Sequence, residues 1–358
     1  MLVDVGELWS GYCCEGLDIK EEDAKFYNIR TAPFKIYGLV DPMNTYNRIP
    51  KDIAVKISGG VASKSPASAG ARVRFATDSM YVGIRVEFKR HVLSSPHVTR
   101  LNETGFDIYI DEGMGQTYAS SFVPSMDGFE GYQGIRKFAD KKMRQITIYF
   151  PSGNEIFDVE IALQNDAKLC EATPYKYEKP VVFYGSSITH GFAASRPGMT
   201  YVNQIGRMLD INIMNFGFSG NAKGEPSLAE YLSKLDMSVF VMDYDHNAPS
   251  DEHLKNTHYD FYKIMRDANP DLPIIIVTKP DARKYTDEWD LSRKDIILNT
   301  YLTARSQGDK NVYFVDGNSF FIGSDRLDFT VDGCHPTDRG FARMAEVIGG
   351  VVRELIEK

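Results

Sequence analysis

The chain has 358 residues, about two domains' worth, and its 41 basic against 49 acidic side chains leave a net charge of −8. With 43% hydrophobic, 12% aromatic and 25% charged residues it has the composition of a globular protein that buries sizeable cores, which excludes disorder as its main state. No run approaches the ~18 consecutive apolar residues of a membrane span, and the longest basic cluster is Lys141-Lys142-Met143-Arg144, so neither a membrane nor nucleic acid is an expected partner.

The first twenty residues, MLVDVGELWSGYCCEGLDIK, carry acids where a secretory leader carries basic residues, so a cytoplasmic location, or a chain trimmed of its leader, is expected. The four cysteines, Cys13, Cys14, Cys170 and Cys334, form no C-x-x-C pair and no disulfide framework. They are expected as free, buried thiols. From about residue 35 to 169, β-branched and aromatic residues alternate with polar ones in short runs broken by Gly, Ser, Asn and Asp. Runs at 72–76, 81–88, 106–110, 145–150 and 157–163, with hardly any helical pattern between them, predict an antiparallel β-sandwich or jelly roll. The polar stretch 171–180, which contains Pro174 and Pro180, reads as a linker, placing a sandwich domain at 1–175 and a second domain at 176–358.

Beyond the linker, short and almost wholly apolar runs at 181–184, 211–216, 238–242, 273–277 and 311–315 alternate with segments of helical period at 200–209, 227–235, 251–269, 288–307 and 337–358. This predicts five parallel strands covered by helices on both faces. In such a sheet the ligand lies at the carboxyl ends of the strands. There the sequence delivers Gly185-Ser186-Ser187-Ile188-Thr189, Gly217-Phe218-Ser219-Gly220-Asn221, Asp243-Tyr244-Asp245-His246-Asn247 and, after the last strand and a loop, Asp332-Gly333-Cys334-His335-Pro336. A serine hydroxyl becomes a nucleophile when an imidazole takes its proton and a carboxylate holds that imidazole in one tautomer. Ser187, His335 and Asp332 supply those three groups. The N–H groups of Ser187 and Gly220 and the side-chain amide of Asn247 can supply donors for an oxyanion. Further candidates for substrate contact are His246, Arg196 and Tyr244, with Trp289 beside Tyr244 as an aromatic that can stack on a sugar. Each has a structural alternative: Arg196 as a loop anchor through a salt bridge, the aromatics as packing. Ser219 misses the G-x-S-x-G nucleophile elbow because Asn221 takes the last glycine position. His91, His97, His190, His253 and His258 lack metal-ligand spacing, so no metal or other cofactor is expected.

The four blocks, in order, resemble those of the SGNH, or GDSL, hydrolases, which carry a Ser, a Gly, an Asn and an Asp-x-x-His-Pro in turn. The resemblance covers 180–358, and the sandwich ahead of it resembles bacterial SGNH proteins of the acetylesterase and lipase kind. It implies a flavodoxin-like three-layer α/β/α domain and metal-independent ester hydrolysis through an acyl-serine. It also implies a short acyl group, acetyl above all, on a carbohydrate as substrate. Two positions depart from the blocks: Ser186 stands where the first usually has Asp, and Ala248 where the third has Asp after its Asn. A lysophospholipase or thioesterase with the same machinery is the nearest alternative. A carbohydrate-binding protein with an inactive hydrolase domain is a second one, and a homo-oligomer is compatible with either.

Overall fold

The computed structural model describes residues 13–15, 19–89, 93–111, 113, 115–123, 130–280 and 288–358. They form two compact units, Met1–Ile49 with Pro66–Tyr175 and Ser195–Gly198, and Pro50–Ser65 with Lys176–Ala194 and Met199–Lys358.

The first unit is a β-sandwich. Its strands are β1 (Cys13–Glu15), β2 (Ala24–Asn28), β3 (Lys35–Tyr37), β4 (Arg72–Thr77), β5 (Tyr81–Phe88), β6 (Phe106–Asp111), β7 (Gln116–Val123), β8 (Gly131–Lys137), β9 (Arg144–Tyr149), β10 (Ile156–Gln164) and β11 (Leu169–Cys170). Among the described residues one sheet runs β1-β7-β6-β9-β4-β11 with β3 also paired to β4, and the other runs β2-β10-β5-β8. Neighbours are antiparallel except β1, which lies parallel to β7. Alternate residues of the two sheets meet in one core: Val73, Phe75, Ile108, Phe122, Ile146 and Ile148 from the first, Val82, Ile84, Val86, Val159 and Ile161 from the second. That alternation is the period-two pattern read from the sequence.

The stretch 35–169 also holds three short helices that the strand pattern gave no sign of, α1 (Lys51–Ile57), α2 (Gly59–Lys64) and α3 (Arg100–Thr104). With 7, 6 and 5 residues they are too short to establish a 3.6-residue period. Local caps define two of them: Ser58 Oγ accepts from the Val61 N–H at 3.1 Å, and Thr99 Oγ1 from the Asn102 N–H at 3.0 Å. Helices α1 and α2 cluster with the second unit.

That unit is a three-layer α/β/α domain. Its strands β12 (Tyr177–Gly185), β13 (Ile211–Gly217), β14 (Val239–Asp243), β15 (Ile274–Val277) and β16 (Val312–Val315) are parallel and ordered β13-β12-β14-β15-β16, the flavodoxin-like order. Besides α1 and α2, its helices among the described residues are α4 (Ser187–His190), α5 (Tyr201–Leu209), α6 (Pro226–Leu232), α7 (Asp251–Ala268), α8 (Glu288–Ser306) and α9 (Asp338–Ile356). Thr200, Ser250 and Thr337 cap α5, α7 and α9 through their side-chain oxygens. Val181, Phe183, Val239, Val241, Ile275 and Val277 face one layer, where Val202, Ile205, Phe341, Met344 and Ile348 of α5 and α9 meet them. On the other face Phe261 of α7 stacks on Tyr184 of β12 at 4.6 Å and on Phe240 of β14 at 6.3 Å. Burial on both faces is why these strands read as unbroken apolar runs.

The expectation of buried thiols is corrected where it can be read. Cys170 is exposed, on the two-residue edge strand β11, and Cys334 is half-buried in the loop before α9; among the described residues neither forms a disulfide. The side chains of Cys13 and Cys14 lie outside the described residues.

Candidate active site

Strand β12 pairs with both β13 and β14, so the strand order reverses around it, and its carboxyl end opens the crevice where such sheets bind ligands. Ser187 begins α4 directly after that strand. The turn that presents it is held from three sides. Ser186 Oγ accepts from the Ile188 N–H at 3.2 Å and caps α4, a task Ser performs about as well as Asp, so the Ser186 departure preserves the capped turn. Asn215 of β13 donates through Nδ2 to the Thr189 carbonyl at 2.7 Å. Thr189 Oγ1 and the Tyr201 hydroxyl donate to Asp243 Oδ2 at 2.8 and 3.1 Å. Gly185 has no room for a side chain: a Cβ there would stand 2.1 Å from Thr189 Oγ1 and 2.5 Å from the Asp243 carbonyl oxygen.

Asp243 is fully buried in this support. Burial pushes its pKa up to about 7, against the opposing hydrogen bonds from Thr189 and Tyr201 and with Asp245 adding to the rise.

The Ser187 hydroxyl lies 2.8 Å from His335 Nε2, and His335 Nδ1 lies 2.7 Å from Asp332 Oδ2. Asp332 Oδ1 accepts the N–H groups of Cys334 and His335 at 3.0 and 2.8 Å. Burial raises the Asp332 pKa, but those two N–H groups and the imidazole outweigh it and hold the carboxyl below its ordinary value. An ionised carboxylate on Nδ1 fixes the tautomer in which Nε2 is the free base facing Ser187. Such a line of groups can activate a hydroxyl for attack on an acyl carbon. Phe192 covers the imidazole, with ring centroids 4.3 Å apart. Nothing in the sequence marks Phe192 apart from its place one residue after the glycine that ends α4.

Two loops flank this line. Gly220 has φ +71°, in the region that favours glycine, and a Cβ there would meet nothing within 4 Å. Glycine there is therefore favoured by the backbone conformation, and the space beside it is open. Ser219 Oγ lies 2.9 Å from His190 Nδ1, which ties this loop to the end of α4. Asn247 Oδ1 accepts the Ala222 N–H at 3.3 Å, which leaves Nδ2 available as a donor and links the loops after β13 and β14. The loop of Asn247 is in turn gripped by Arg293 of α8, a buried residue that the motif reading did not single out.

Of the remaining candidates, half-buried His246 has Nδ1 3.7 Å from Cys334 Sγ. Tyr244 is corrected from a substrate contact to a core residue: it is fully buried, stacked on His258 at 5.9 Å, with its hydroxyl 2.9 Å from Thr257 Oγ1. Arg196 falls in the first unit, where its Nη1 pairs with Asp107 Oδ2 at 2.9 Å and donates to the Tyr109 hydroxyl at 2.6 Å, and its guanidinium covers the Tyr118 ring at 3.8 Å. This is the geometry of an anchor. His258 is buried beside Thr300, and burial pushes its pKa down to about 3, so it stays neutral. Among the described residues no cluster of His, Cys, Asp and Glu could hold a metal ion, and no helix is long and apolar enough to cross a membrane. His91 and the side chain of Trp289 lie outside the described residues.

Comparison with known proteins bears on both units. The family model described as "GDSL-like Lipase/Acylhydrolase family" matches residues 178–353, and the one described as "N-terminus of Esterase_SGNH_hydro-type" matches residues 24–169. A solved structure described as a GDSL-like lipase from Bacteroides ovatus ATCC 8483 is 25% identical, with 93% of this chain and 98% of that one covered at a TM-score of 0.85. The salicylyl-acyltransferase SsfX3 from a tetracycline biosynthetic pathway is 16% identical, covering 94% and 98% at 0.76. A family two carbohydrate esterase from Clostridium thermocellum, in complex with cellohexaose, is 15% identical, covering 81% and 93% at 0.56. The latter two show a shared fold. The sequence finds no match among curated proteins. Taken with the ordered blocks and the Ser187–His335–Asp332 line, these matches establish that the chain belongs to the SGNH (GDSL-like lipase/acylhydrolase) family and is a carboxylic ester hydrolase.

Proposed function

We propose that the protein is a serine esterase that removes short acyl groups, acetyl above all, from carbohydrate esters. The observation that carries the chemistry is the unbroken line from Ser187 Oγ to His335 Nε2 and from His335 Nδ1 to Asp332, at 2.8 and 2.7 Å. Ser187 Oγ attacks the ester carbonyl as its proton passes to His335 Nε2, and Asp332 stabilises the imidazolium. The oxyanion of the tetrahedral intermediate accepts from the Ser187 and Gly220 N–H groups and from Asn247 Nδ2. His335 then gives its proton to the departing sugar hydroxyl, leaving an acyl-serine. Water attacks that ester with His335 again as base, the acid is released and Ser187 is restored.

Support for a carbohydrate acetyl ester comes from the family resemblance and from the names of the fold's carbohydrate esterase neighbours, one of them solved with cellohexaose. The test is acetate release from p-nitrophenyl acetate and from acetylated xylo-oligosaccharide by the native protein and by Ser187→Ala, with acyl chain length then varied. Turnover lost in a folded Ser187→Ala supports the nucleophile; equal activity in both proteins removes it. Preference for long acyl chains, lysophospholipid or thioesters would overturn the acetyl-carbohydrate assignment while leaving the serine chemistry in place.

A further inference from the structure

The buried guanidinium of Arg293 spans the loop that carries Asn247. Asp245 and Ala248 bracket His246 and Asn247, and the Ala248 N–H donates to the Asp245 carbonyl at 3.0 Å, closing a turn with Asn247 at its third position. Arg293 Nη1 donates to that same Asp245 carbonyl at 2.8 Å and Nη2 to the Ala248 carbonyl at 2.9 Å. Its Nε meets Asp251 Oδ1 at 3.1 Å, at the start of α7, where Ser292 also hydrogen-bonds the Asp251 carboxylate. Arg293 is 1% exposed, so these bonds form away from competing water. A buried charge persists only where it is paired and hydrogen-bonded, and here its partners are the Asp251 carboxylate and the two carbonyls that frame His246 and Asn247. The Lys279 N–H adds a bond to Asp245 Oδ2 at 3.1 Å from the loop after β15.

We infer that Arg293 is a positioning residue for oxyanion stabilisation: its planar fork fixes the 245–248 turn so that Asn247 presents Nδ2 to the developing charge. This rests on the esterase reading above. Ala248 offers no side-chain acceptor at the position where the third block usually has Asp, so the turn is held through its main chain from α8. A lysine cannot replace the fork, because a single ammonium does not reproduce two fixed donors on a rigid plane.

A double-mutant cycle with p-nitrophenyl acetate tests it, using Arg293→Met, Arg293→Lys, Asn247→Ala and the two combinations with Asn247→Ala, with Ser187→Ala as reference and folding followed by circular dichroism and Tm. Removing an oxyanion donor costs about 10²- to 10³-fold in kcat. Arg293→Met is expected to cost about 10- to 100-fold in kcat with KM moving less than about threefold, and Arg293→Lys to cost less. In the Asn247→Ala background the same changes should cost less than about threefold, because the group they position is gone. Full additivity, or an unchanged kcat, overturns the inference. Should Arg293→Met fail to fold, the cycle is read from Arg293→Lys. A fully active Ser187→Ala would bring down the esterase reading and this role with it; an inactive Ser187→Ala with an additive cycle would bring down the role of Arg293 alone.

Discussion

Ser187 and His335 meet at 2.8 Å, yet the two segments that deliver them are built differently. The Ser187 turn is buried and tied to its surroundings by bonds that span long stretches of sequence: Asn215 to Thr189, Thr189 and Tyr201 to Asp243. The Asp332–His335 loop is half open to solvent and held mostly within itself, through N–H groups of Cys334 and His335 on the Asp332 carboxylate and a bridge between Thr330 and Pro336. Ser187 is thus positioned by bonds that reach across the domain and His335 by seven residues of local geometry. Damage to the first should show in stability and activity together, and damage to the second in activity with little change in stability.

The largest effect tests the chemistry on which both segments converge. Ser187→Ala, which leaves the turn and its supports unaltered, should lower kcat by about 10⁶-fold with a native circular dichroism spectrum. Asp332→Asn should lower kcat by about 10⁴-fold by releasing the imidazole tautomer. Because its loop is self-contained and partly exposed, urea unfolding should register less than about 1 kcal/mol for that change. A large stability loss at Asp332 would erase the contrast.

On the buried side, Asp243→Asn separates charge from shape. Below about pH 4 the carboxyl is protonated in both folded and unfolded chains. Between about pH 4 and 7 the folded state keeps a proton that the unfolded chain gives up, so this group's contribution to stability falls as pH rises and levels off above about 7. Asparagine has no such dependence. The stability of Asp243→Asn relative to the native protein should therefore rise by roughly 2–4 kcal/mol between pH 4 and 8 in urea titrations. A flat difference would place the Asp243 pKa near its ordinary value. Gly185→Ala should cost about 1–3 kcal/mol through the contacts its Cβ makes with Thr189 and the Asp243 carbonyl. The smallest effect sharpens the comparison at one cap: Ser186→Asp should change stability by less than about 0.5 kcal/mol, while Ser186→Ala costs about 1 kcal/mol, because the hydroxyl supplies the N-cap acceptor that Asp would supply.

The same contrast governs what could be read from the sequence. Asp332 and His335 are three residues apart, so their pairing is written in adjacent positions. The five strands were legible because burial on both faces turns each into a short apolar run, and three of the four motif blocks stand at the end of such a strand. Arg293 was not legible, since its role exists only when α8 comes against carbonyls 45 and 48 residues earlier in the chain. Tyr244 looked available for substrate because it follows a strand, but its neighbours Tyr184, His258 and Thr257 enclose it. Helices α1 and α2 escaped for want of length, and their membership of the second unit depends on contacts such as Ser58 Oγ donating to Glu225 Oε1 at 2.9 Å, 167 residues away.

The segment Ser195–Gly198 gives the sandwich an unusual timetable during synthesis. Asp107 is fully buried there, and besides Ser121 its carboxylate partners are the Arg196 guanidinium and the Gly198 N–H. A nascent chain that has released β1 to β11 from the ribosome still lacks two of the partners that the Asp107 carboxylate has in the finished sandwich, because both lie beyond Ser187 in the chain. The earlier-made unit therefore completes its own contacts only after Lys176–Ala194 of the other unit has been translated.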